Sequence, residues 1–197
     1  MGTNEGYLYA SAIGSLIYAL VCTRPDIAFA MGMLRRYQKV VGYSDPDFVG
    51  CIDSRKSTSG YNFMIASGVV SWRSVKQTSI ATSTVEAEFV SCFEATSQGV
   101  WLKSFISRLR IIDSISKPLK IYSDNSAVVF MARNNKSKSQ SKHIGIKYLS
   151  TRERVEEGKV VIRHINTKLM LADPLTKGMP PKNFKDHVAR MEIGHMM

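Results

Sequence analysis

The chain has only three cysteines, Cys22, Cys51 and Cys92, and no two of them form a CxxC pair. That spacing indicates neither a zinc-ligand set nor a disulfide framework, and it fits a reducing compartment. A membrane-length apolar run is also missing: the stretch 7–22 is too short to span a bilayer comfortably. The same stretch lacks the basic n-region of a secretory signal, with Glu5 where a positive charge belongs. An intracellular location, cytoplasmic or nuclear, is therefore expected over secretion, with no membrane partner. Acids are scarce too. The 16 Asp and Glu face 27 Lys and Arg, a formal net charge of +11 in 197 residues. Such a field favours a polyanion, either nucleic acid or an anionic surface, and says nothing about fold.

What is present suffices for one domain of ordinary size, since 44% of the residues are hydrophobic. The stretch 7–22 reads as an amphipathic helix, with Ile13, Leu16, Ile17, Leu20 and Val21 on one face. A second helix opens at Thr23-Arg24-Pro25-Asp26 and aligns Ile27, Met31 and Leu34. These two short helices read as an appendage over 1–38, ahead of a main domain over 39–197. There the pattern turns to strands: 40–44, then 59–66 with Tyr61, Phe63 and Ile65 alternating, then 69–75 carrying Trp72. Ser83-x-x-Glu86 matches a capping box and opens a long helix without proline. Its apolar positions are read as Phe89, Cys92, Phe93, Val100, Trp101, Phe105 and Leu109. A fourth strand, 118–123, leads to a short helix from Ser126. A helix over 143–157 ends at Gly158. A fifth strand, 159–165, and a helical stretch from Leu169 follow. The layout predicts an α/β fold, a mixed five-stranded sheet flanked by helices.

Four acids fall on four different elements. Asp45 sits in Asp45-Pro46-Asp47, which is expected to end the first strand because proline has no N–H to give. A plain turn is the commoner use of such residues. Glu88 lies one turn into the long helix beside Val85 and Cys92, an apolar setting for a carboxylate. Glu86 fits the ordinary preference of acids for a helix N-terminus. Asp124 follows the fourth strand, and Asp173 lies in the last helical stretch. Between Arg133 and Lys142 runs a loop with Lys136 and Lys138 and no acid, which also reads as a plain solvated basic loop.

The phrases YSDPDFVGC, DSRKSTSGY, SWRSVKQ, STVEAEF, IYSDN, SKHIGIKY and LADPLTKG together resemble the ribonuclease H domain of Ty1/copia-type retrotransposon Pol polyproteins. The resemblance runs from Lys39 to about Met191. Residues 9–38 resemble the segment that joins the reverse transcriptase to that domain. Relatives carry a longer linker there, so the direct run from Gln38 into Val40 looks like an internal deletion. Where relatives read KHIDIKY, this chain has Gly145.

The resemblance implies a ribonuclease H-like fold that hydrolyses the RNA strand of RNA–DNA hybrids, with a reverse transcriptase domain as a possible partner. The family carboxylates fall on Asp45, Glu88, Asp124 and Asp173, with Asp47 and Glu86 as near alternatives. They imply two Mg²⁺ ions, or Mn²⁺, which take hard oxygen ligands and activate water against a phosphodiester. Arg55, Lys56, Lys76, Arg133, Lys142 and Lys147 are expected along the backbone phosphates. His164, on the strand before Asp173, is within reach of the site or is an ordinary structural histidine. A nucleic-acid-binding remnant without catalysis, and a secreted or host-modifying protein built from such a fragment, are the alternative readings.

Overall fold

The computed structural model of the chain describes residues 40–51, 53–65, 68–108, 118–134 and 142–191. The two helices expected within 1–38 lie outside these residues, as do the boundary at 38 and residues 135–141 of the basic loop. Five strands form one sheet: β1 (Val40–Cys51), β2 (Lys56–Ile65), β3 (Gly68–Lys76), β4 (Leu119–Ser123) and β5 (Val160–His164). Their spatial order is β3-β2-β1-β4-β5. β1, β2 and β3 pair antiparallel, while β4 runs parallel to both β1 and β5. Short loops suffice for the antiparallel meander, whereas the parallel strands need helical crossovers. The helices are α1 (Thr84–Arg108), α2 (Ser126–Arg133), α3 (Lys142–Glu156) and α4 (Pro181–Arg190). The mixed five-stranded sheet with helices is the expected fold.

One face of the sheet holds the main core. Tyr61, Phe63 and Ile65 of β2, Leu119 and Ile121 of β4, and Val160 and Ile162 of β5 pack against Phe89, Cys92, Leu102 and Ile106 of α1. Val128 of α2 and Tyr148 of α3 complete it. A smaller cluster of Met64, Leu171 and Met191 also takes in Tyr43 and Val69.

Three expectations need correction. First, β1 does not stop at Asp45. It continues through Pro46, level with Ser59 of β2, to Cys51. A proline is tolerated where one side of a strand has no partner. β4 supplies that condition, because its pairing with β1 covers only Val41 to Tyr43. Second, α1 turns Leu102 and Ile106 inward, while Trp101 and Phe105 are exposed and stack at 5.3 Å between ring centroids. The buried stripe Cys92, Ala95, Gly99, Leu102 and Ile106 has spacings of three and four. Small residues in its middle let the helix approach the sheet, and reading by the largest side chains misses that. Third, the stretch after Leu169 is not one helix. Two 3-10 turns, Thr167–Leu169 and Asp173–Leu175, stand there. Pro174 cannot donate to a preceding turn, so a continuous helix is broken. Gly158, with φ of +67°, closes α3 as expected.

Candidate active site

Sheet register brings the first two acids together. Tyr43 of β1 pairs with Tyr122 of β4, so two residues further on Asp45 stands level with Asp124, just past the end of β4. The third acid comes from α1, which is fastened across β1 by Ser91. Its Oγ donates to the carbonyls of Asp45 at 3.2 Å and Gly60 at 3.3 Å, and lies 3.0 Å from Ser44 Oγ. That contact sets Glu88, one turn earlier, over the strand. Carboxylate oxygens of Asp45, Glu88 and Asp124 lie within 4.8 Å of one another.

Each carboxylate is held differently. Asp45 is 1% exposed. Thr176 Oγ1 donates to its Oδ2 at 2.6 Å, and Lys177 Nζ donates to its Oδ1 at 2.9 Å. Thr167 Oγ1 donates to Asp124 Oδ2 at 3.0 Å. His164 Nε2 lies 3.0 Å from the backbone carbonyl of Asp124, where the ring nitrogen must be the donor. Glu88 Oε2 is buried and has no hydrogen-bond partner. Asp173 stands beside the group of three, not within it. Lys177 Nζ donates to Asp173 Oδ1 at 3.1 Å and so links it to Asp45.

Burial is the main electrostatic cost. It pushes Asp45 up to about 6, against the lowering pull of Thr176 and Lys177. It pushes Glu88 up to about 8, with the neighbouring charges of Asp45 and Asp124 adding to the effect. Lys177 is held as an ammonium: burial works against its charge, but Asp45 and Asp173 outweigh that. Three converging carboxylates with an orphaned buried oxygen form an unfavourable arrangement unless a cation shares it. Their hard oxygen donors suit Mg²⁺ or Mn²⁺.

The near alternatives point elsewhere. Glu86 Oε2 accepts from Thr82 N at 2.7 Å and also from Thr82 Oγ1, while Glu86 N donates to Ser83 Oγ at 3.2 Å. The capping box is real, but the glutamate reaches one residue further back than its usual partner. The Asp47 carboxylate folds over Gly50, where an added Cβ would lie 2.1 Å from Oδ2.

Sequence reasoning missed Thr176 and Lys177, although both stand in the LADPLTKG phrase. The available signal was a lysine four residues after Asp173, the spacing of a helical ion pair. Arg55 and Lys56 sit at the β1–β2 turn, and Lys76 ends β3 with its Nζ 3.1 Å from Cys51 Sγ. Arg133 donates to the carbonyl of Ile162 at 3.0 Å, and Lys147 Nζ lies 5.8 Å from the Phe93 ring centroid. The side chain of Lys142 lies outside the described residues. Among the described residues, no helix is long and apolar enough to cross a membrane.

No protein-family model matches the chain. It is 33% identical over 210 residues to the retrovirus-related Pol polyprotein from transposon TNT 1-94 of Nicotiana tabacum, covering 90% of this chain and 16% of that protein. It is 28% identical over 219 residues to the Pol polyprotein from transposon RE1 of Arabidopsis thaliana, covering 94% and 15%. Both alignments run longer than this chain, so these relatives carry residues that it lacks. The chain spans about a sixth of the length of these Pol polyproteins. Secreted RxLR effector protein 161 of Plasmopara viticola is 38% identical in a 128-residue alignment that covers 48% of this chain and 90% of that protein. Among solved structures, LC11 ribonuclease H1 in complex with an RNA/DNA hybrid shares the fold. It aligns with a TM-score of 0.51 and 16% identity over 70% of this chain and 93% of its own.

Proposed function

The chain belongs to the Ty1/copia-type retrotransposon Pol polyproteins and has a ribonuclease H-like fold, and from that premise we propose that it hydrolyses the RNA strand of RNA–DNA hybrids with divalent metal. One observation carries the reading: Asp45, Glu88 and Asp124, from β1, α1 and the end of β4, converge within 4.8 Å. A purely structural use would pair such acids with bases or leave them in solvent. Here one glutamate oxygen is buried with no hydrogen-bond partner.

Asp45, Glu88 and Asp124 would hold the cation, and Asp173, linked to Asp45 through Lys177, would join them. We take Mg²⁺ as the ion, two per site, with Mn²⁺ as a substitute. When bound, it supplies an activated water and relieves charge on the leaving oxygen. The protein's part is to keep the carboxylates fixed. Thr176 orients Asp45, Thr167 orients Asp124, and His164 pins the backbone at Asp124. Arg55, Lys56 and Lys76, gathered at one end of the meander, offer positive charge to a nucleic-acid backbone. The 2′-OH would identify the RNA strand. The natural setting is intracellular, alongside a reverse transcriptase domain. The effector relative matches less than half of the chain, and its name does not account for the buried acids.

The test is cleavage of a labelled RNA–DNA hybrid. Cutting of the RNA strand with Mg²⁺, and none with chelator or on duplex DNA, supports the reading. A chain that binds hybrid but never cuts it is a binding remnant.

A further inference from the structure

Lys177 reaches across 132 residues of chain to Asp45 and sits between it and Asp173, with Nζ 2.9 and 3.1 Å from their carboxylates. Asp45 is 1% exposed and has no solvent to balance its charge, so it needs a cation beside it. The lysine is not buried in turn: its side chain is 39% exposed and hangs from the residue after Thr176, where the last 3-10 turn ends. A four-carbon stem with one solvent-facing side can leave its partners without disturbing the fold.

We propose that Lys177 is a tethered counter-cation of the acidic site. Its ammonium holds Asp45 and Asp173 while no divalent ion is bound, and it withdraws to solvent when one binds. The proposal rests on the reading of the carboxylate cluster as a metal site. Its consequence is that metal must compete with the protein's own lysine. Lys177 therefore sets metal affinity, while guarding the metal-free protein against an unpaired buried charge.

The full chain can be titrated with Mn²⁺ by calorimetry, comparing wild type, Lys177→Met and Lys159→Met. Lys159 pairs with Glu157 on the surface and controls for the loss of one positive charge. Lys177→Met should bind Mn²⁺ more tightly, by about ten-fold, the scale of one close charge pair. Its Tm in chelator should fall below wild type and rise more steeply with Mn²⁺. Lys159→Met should match wild type in both. Equal or weaker Mn²⁺ binding by Lys177→Met overturns the proposal. Should that variant fail to fold, the wild-type chain still decides. Its Lys177 side-chain ¹⁵N signal, protected in chelator, must lose protection when Mg²⁺ is added, and an unchanged signal at saturation overturns the proposal. If neither protein binds Mn²⁺, the metal-site reading falls with it. If the lysine dependence holds but hybrid is never cut, the counter-cation role stands and only the nuclease reading fails.

Discussion

Glu86 and Glu88 are two residues apart on α1 and serve different ends: Glu88 faces Asp45 and Asp124, whereas Glu86 turns back to Thr82 at the helix start. Glu86→Ala removes the acceptor of the Thr82 amide and hydroxyl. The loss of such a capping contact costs about 0.5–1.5 kcal/mol. Urea unfolding should show that cost, with hybrid cleavage by the folded protein unchanged. A large loss of cleavage at full stability would place Glu86 in the site.

Metal-free stability should depend on pH through Glu88. Its pKa rises from 4.5 unfolded to about 8 in the native chain. Between those values the unfolded chain gives up the proton and the native chain keeps it. The native state then binds more protons, so stability falls as pH rises. The contribution is fully present below 4.5 and is lost once pH passes about 8. Asp45, raised from 3.8 to about 6, adds to the same trend over its own range. In chelator, the urea midpoint should be higher at pH 5 than at pH 8.5, and Glu88→Gln should flatten most of the slope. A wild-type midpoint that climbs with pH would contradict a Glu88 carboxyl whose protonated form is favoured by burial.

Two helical glycines should respond in opposite directions. An added Cβ at Gly99 would lie 2.3 Å from Leu119 Cδ2 and 2.8 Å from Phe63 Cε1. The Phe63 ring is fully buried and also lies against Gly42, so it has little room to yield. Gly99→Ala should therefore lower stability by roughly 1–3 kcal/mol from overpacking, more than offsetting a helix-propensity gain of about 1 kcal/mol. Gly145 has nothing within 4 Å of such a Cβ, so Gly145→Ala should gain up to about 1 kcal/mol. Thermal unfolding of both variants checks the pair, and a stabilised Gly99→Ala would show the α1–sheet contact to be looser than described.

Local patterns carry much of the fold. Alternation at Tyr61, Phe63 and Ile65 marks the face of β2 that meets the main core, and Gly158 ends α3 where a positive φ is needed. The register that sets Asp45 level with Asp124 is not legible in the sequence, because pairing of β1 with β4 depends on a parallel contact between distant segments. The path of β1 through Pro46 escapes for a related reason. A proline's effect depends on which side of the strand has a neighbour, and local sequence carries no record of that. Trp101 and Phe105 mislead through their size, since Ala95 and Gly99 mark the buried stripe of α1 more faithfully than its aromatics. Lys177 is hidden by its company: in so basic a chain a lysine reads as one more contact for phosphate. Its role comes from a partner 132 positions away.

The most direct test of the account is hybrid cleavage by Asp45→Asn and Asp47→Asn, measured beside wild type with saturating Mg²⁺. Both swaps remove one negative charge and are nearly isosteric, so global charge and folding are matched. Asp45 lies in the carboxylate cluster, while Asp47 folds over Gly50 toward the hairpin. Asp45→Asn should abolish cleavage while retaining a cooperative unfolding transition, and Asp47→Asn should cut at close to the wild-type rate. Cleavage by Asp45→Asn at the wild-type rate, or loss in Asp47→Asn alone, would contradict the assignment of the active site.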